Sequence, residues 1–138
     1  MFMKSFSAQT YALMRIVIGL LFLCHGTQKL FAFPSALSFE ITPFITYGAG
    51  LIECLGGLLV TIGLFTRLTA FVCSGLLATA YWMAHGTKAF FPIDNGGELA
   101  VIYCFVFLFI SAYGSGIWSA DSALIPNHPK AISSERAP

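Results

Sequence analysis

Glu53 stands alone in an apolar run, Pro43 to Phe65 (PFITYGAGLIECLGGLLVTIGLF), with no charged residue for a dozen positions on either side. The run is long enough to cross a bilayer. An ionised carboxylate at mid-bilayer costs about 2.5–3.5 kcal/mol on insertion scales. It therefore requires a partner, a bound proton or a water-filled pocket. The preceding apolar run supplies the candidates Arg15, His25 and Lys29. A neutral imidazole next to a carboxylate can donate a hydrogen bond to a carbonyl and carry a proton, so His25 and Glu53 are the candidate catalytic pair.

The elements that must position these residues are apolar helices. The chain has 138 residues, one domain's worth, of which 57% are hydrophobic and 9% charged. A soluble domain of that size could not bury so much apolar surface, which points to a bilayer as solvent. The net charge of +1 gives no case for a nucleic-acid partner. Four segments emerge, Tyr11–Phe33, Phe44–Phe65, Leu68–Ala84 and Glu98–Gly114, each near the roughly 20 residues a spanning helix needs. The fold class expected is an all-α membrane protein, a four-transmembrane-helix bundle over residues 1–121. A polar, flexible tail is expected over residues 122–138. The first segment reads as a retained helix, because Arg15 interrupts its start and no signal-cleavage pattern follows. Loop lysines and arginines place both termini in the cytoplasm, since Lys4, Arg67, Lys130 and Arg136 fall on one side and Lys88 on the other.

Segment one ends His25-Gly26-Thr27-Gln28-Lys29, and segment three ends His85-Gly86-Thr87-Lys88. Each is followed by a helix carrying a glutamate, Glu53 or Glu98. This echo suggests a parallel duplication of two-helix units, with chance similarity of short helix ends as the competing reading. Arg15, Phe22 and Lys29 recur at sevens and share a face with Gly19 and Gly26. Thr46, Gly50, Glu53, Gly57 and Thr61 share another. At about 1.5 Å per residue, His25 and Glu53 differ by only about 5 Å in height on antiparallel neighbours. One outer-half pocket is therefore expected, lined by His25, Lys29, Glu53, His85 and Glu98 with Tyr81 and Trp82 as aromatic wall. Arg15 and Asp121 fall at matching heights and are expected to form an ion pair.

Each of these has a plainer reading. Lys29 could snorkel to the surface, Glu98 could be a first-turn acid favoured by the helix dipole, and His85 an interfacial end residue. The Arg15–Asp121 pair reads more readily as a structural latch than as chemistry. Cys24, Cys54, Cys73 and Cys104 lie in four different runs with no CxxC and no zinc-like spacing, so no metal site is expected. They read as small packed thiols, with a redox pair of Cys24 and Cys54 as the alternative. No haem-ligand, iron–sulfur or nucleotide motif is present.

At these same residues the chain resembles the DoxX family of small four-helix membrane proteins. The matching pieces are Arg15…Gly19…His25-Gly26…Lys29, Glu53-Cys54-Leu55-Gly56-Gly57 and Gly63-Leu64-Phe65-Thr66-Arg67. They continue as Asn95-Gly96-Gly97-Glu98-Leu99 and Gly114-Ser115-Gly116-Ile117-Trp118-Ser119-Ala120-Asp121. Trp118 stands where the family more often has Tyr. The resemblance implies a membrane subunit associated with quinone-dependent oxidation or with thiol and superoxide defence enzymes, and by itself does not imply catalysis. The expected function is a cell-membrane subunit of a quinone- or quinol-linked redox complex, whose electrons come from a partner oxidoreductase. The alternatives are a small-molecule or ion binding or transport protein, which would need a homo-oligomer, and a scaffold that docks a soluble oxidoreductase.

Overall fold

The structure, a computed structural model, describes residues 3–37 and 42–124. After a short 3-10 turn at Lys4–Phe6 come α1 (Ser7–Phe31), α2 (Pro43–Ile62), α3 (Thr66–Ala84), α4 (Pro92–Asn95), α5 (Glu98–Tyr113) and α6 (Ala120–Leu124). No strand occurs among the described residues. The four apolar segments correspond to α1, α2, α3 and α5. The short α4 and α6 have no apolar period and were not foreseen. Helix α6 continues through Leu124, and the rest of the expected tail, with Lys130 and Arg136, lies outside the described residues. Two stretches, Lys4–Phe31 and Ile45–Ile62, are long and apolar enough to cross a membrane, whereas α5 is apolar but shorter.

The helices pack as two antiparallel pairs, α1 with α2 and α3 with α5, while α2 touches α3 more lightly. Glycine sets the first pairing. A Cβ on Gly26 would fall 2.3 Å from the Cys54 backbone nitrogen, and one on Gly57 would fall 2.4 Å from that of Leu23. Helices held this closely gain van der Waals contact that lipid cannot match. The second pair is joined by the Ser74 hydroxyl, which donates to the Cys104 carbonyl at 2.9 Å. The two pairs meet through aromatic side chains, with the Phe22 and Phe107 rings 4.7 Å apart.

Polar side chains share the interior with an apolar core, and large apolar side chains also cover the exterior. Arg15, Glu53, Thr66, Ser74 and Asn95 are buried, whereas Leu20, Leu55, Phe71 and Phe105 face outward. Every long helix turns large apolar side chains to the outside. Water would not tolerate so broad an apolar exterior, and hydrocarbon would.

Candidate functional site

A cavity of about 340 Å³ opens at the end of the bundle away from the N-terminus. His25, Gln28 and Lys29 reach it from α1, Glu53 from α2, Leu77 and Ala80 from α3, and Ala100 and Tyr103 from α5, with His85 and Gly96 from the connection above. Four of the residues expected in one pocket, His25, Lys29, Glu53 and His85, line this one.

Glu53 pairs with Lys29, not with His25. The Lys29 ammonium donates to both Glu53 carboxylate oxygens, and the pair is the one ion pair among the described residues. A height difference of about 5 Å, within side-chain reach, does not decide the pairing, for a geometric reason. Helical side chains lean toward the N-terminus of their own helix. In antiparallel α1 and α2, Lys29 leans down and Glu53 leans up, so residues a turn apart in height converge. The backbones are already close there, since a Cβ on Gly50 would lie 3.2 Å from Lys29 Cβ. The pair is poorly solvated, with side-chain exposures of 20% for Lys29 and 8% for Glu53.

His25 sits one turn below Lys29 and packs edge-on against Tyr103, with centroids 6.1 Å apart. His85 places Nδ1 3.0 Å from the Asn95 carbonyl. A carbonyl only accepts, so Nδ1 carries a proton and a neutral His85 has Nε2 as its free acceptor. Asn95 organises this roof. It is buried, and its amide donates to the Tyr81 hydroxyl at 3.1 Å and the Ala89 carbonyl at 3.0 Å. Its Oδ1 accepts from the Gly97 amide at 2.8 Å.

The remaining expected lining residues fall elsewhere. Tyr81 faces Asn95 and stacks near His85, so it supports the roof and does not line the cavity. Trp82 is 68% exposed on the outer surface of α3. Glu98 is exposed in the first turn of α5, where the helix dipole favours an acid, outside the cavity lining. The aromatic wall is Tyr103 and Phe22 instead.

The DoxX family model matches residues 10–86, the stretch that holds most of α1, all of α2 and α3, and the cavity residues His25, Lys29, Glu53 and His85. The chain belongs to the DoxX family. A Haemophilus influenzae protein described only as uncharacterized is 38% identical over 117 residues, covering 80% of this chain and 87% of its own length. No solved structure matches. DoxX membership agrees with the apolar exterior in making this a membrane protein.

At the opposite end of this DoxX chain, Arg15 and Asp121 share a cluster without forming the expected ion pair. Arg15 is fully buried and donates to the carbonyls of Val60 at 2.6 Å, Thr61 at 2.8 Å and Trp118 at 2.7 Å. It thus caps the carboxyl end of α2 and ties it to the segment after α5. Gly63 turns the chain there at φ 70°, and any Cβ on it would meet Ser119 and Arg15. Asp121 instead accepts from the Phe65 amide at 2.8 Å and from the Thr66 amide and hydroxyl at 2.9 and 2.8 Å. Its carboxylate is the N-terminal cap of α3, supplied from the far end of the chain. Nothing in the sequence near Thr66 signals that cap, because the acceptor lies 55 residues away.

Burial raises the Asp121 carboxyl, but the Thr66 and Phe65 hydrogen bonds and the Arg15 charge outweigh it and hold its pKa below the ordinary 3.8. A carboxylate depressed in the fold stabilises it above the unfolded pKa, and that contribution is lost as pH falls through the folded value. Asp121→Asn is expected to lower stability at neutral pH by about 1 kcal/mol, the usual worth of an N-cap. Wild-type protein should lose this increment below about pH 4 while the variant does not. Thermal melts in detergent from pH 3 to pH 7 check both.

Proposed function

We propose that this protein is a quinone- or quinol-binding subunit of the cell membrane, working with a partner oxidoreductase. In this reading α1, α2, α3 and α5 all span the bilayer as two related antiparallel pairs, with both termini cytoplasmic and the cavity in the outer half. The repeat is supported by a shared device. Arg15 on α1 caps the end of α2, and Arg67 on α3 caps the end of α5 by donating to the Ser111, Ala112 and Tyr113 carbonyls.

The observation that carries the function is the Lys29–Glu53 pair set in a cavity wall beside two histidines and Tyr103. A lock between helices needs no cavity, and a purely apolar ligand needs no charges. A flat ring with polar groups at its edge uses both. The volume sits at the small end of the roughly 300–1,000 Å³ typical of ligand sites, enough for one ring. Lys29 or His25 would donate to a quinone oxygen, and Glu53 would accept a quinol hydroxyl proton. Oxidation of a quinol then releases two protons to this side and two electrons to the partner's acceptor. His85, with Nε2 as acceptor, offers a second proton site.

The test is quinol-linked turnover of the complex in isolated membranes. Glu53→Gln keeps the shape and removes the proton acceptor, and it should lower turnover about a hundredfold, the scale of lost general-base catalysis. Unchanged turnover at equal protein abundance would overturn the reading.

A further inference from the structure

Two further hollows run along the light contact between α2 and α3, on the bilayer-facing side. One, of about 250 Å³, is floored by Ala49, Ile52 and Thr79. The other, of about 440 Å³, follows it toward the N-terminal end past Leu55, Leu59 and Val72. Ile52 belongs to both. The outer hollow in turn shares Ala80 with the polar cavity. The three are therefore neighbours: the charged cavity and the outer hollow share the Ala80 methyl as a common wall, and the groove's lining is almost wholly apolar.

From this we infer that the α2–α3 groove seats the hydrocarbon tail of the molecule whose ring occupies the polar cavity, with the tail crossing at Ala80. The inference rests on the ring-site reading above. It commits to an amphipathic ligand and not to a second copy of the chain, because the groove borders a charged cavity that a packing helix would leave unused. From Ile52 to Leu59 the groove runs about 10 Å at 1.5 Å per residue, so it takes the first part of a tail and leaves the rest in lipid. Surrounding lipid is as apolar as the groove, so shape and the anchored head, not hydrophobicity, select the tail.

Photolabelling of the full chain in detergent separates the outcomes. The probes are a tail-less benzoquinone and the same ring carrying a decyl tail with a terminal diazirine. The tailed probe should label peptides of α2 around Leu55–Leu59 and α3 around Leu68–Val72, and excess tail-less ring should abolish that labelling. Ala80→Phe should cut groove labelling about tenfold or more by blocking the crossing. Gly48→Leu is the second variant, because a Cβ there meets nothing within 4 Å and the side chain can fill the outer hollow without disturbing the fold. Gly48→Leu, at a residue outside the polar cavity, should still bind the tail-less ring, which certifies its folding. Groove labelling that survives both variants and ignores the tail-less competitor would mark an ordinary lipid site and overturn the inference. Tail-less binding without groove labelling would overturn it while sparing the ring site. Failure of the tail-less ring to bind would overturn both.

Discussion

Lys29→Met should destabilise the fold by about 3–5 kcal/mol, the penalty for leaving one member of a buried ion pair without its counter-charge. Glu53 is only 8% exposed at its side chain and has no other cation within bonding distance among the described residues. Its carboxylate would have to take up a proton or draw water into the cavity. The double variant Lys29→Met/Glu53→Gln should recover most of the loss, since removing both charges removes the desolvation problem along with the attraction. Denaturant unfolding in mixed micelles gives the four corners of that cycle. A single variant as stable as wild type would mean that the pair is solvated and contributes little. Such a result would also remove the reason for regarding the cavity as a low-dielectric site.

Arg15→Lys should be nearly as damaging despite conserving charge. The guanidinium is a planar fork that satisfies carbonyls on two separate segments at once. An ammonium on a shorter, non-planar head cannot reach both. Hydrogen bonds to a charged donor are worth about 1.5–3 kcal/mol each, so losing one or two costs about 3 kcal/mol. The thermal midpoint should fall, and limited proteolysis should cut first in the segment 114–119, which Arg15 holds against α2. A wild-type midpoint for Arg15→Lys would contradict the capping role.

The four helical segments were legible because burying or exposing about 20 apolar residues leaves few alternatives to a helix in lipid. Glu53 was legible for the same reason, as a charge that the segment cannot hold unaided. Its partner was not. Choosing between His25 and Lys29 depends on side-chain lean and on how closely α1 and α2 approach, and both arise only when the helices pack. The glycines that permit that approach were visible as a face, but not their depth against Cys54 and Leu23. Asn95 was present in the matching motif yet carried no role, since its partners Tyr81 and Ala89 converge only after the connection folds over the cavity. Tyr103 lies in an apolar run where nothing distinguishes a cavity wall from a core ring. Arg15 and Asp121 were rightly placed at one end. Their pairing was misjudged because each finds helix-terminal backbone groups, which side-chain matching ignores.

On the proposed reading, the Lys29–Glu53 cavity binds one quinone ring. Titrating the purified full chain with tail-less benzoquinone and following intrinsic fluorescence tests it most directly. Saturable binding of one ring per chain is expected, weakened about tenfold or more by His25→Phe and by Glu53→Gln, each removing one polar contact in a desolvated site. Binding that does not saturate, or that is indifferent to both substitutions, would contradict it.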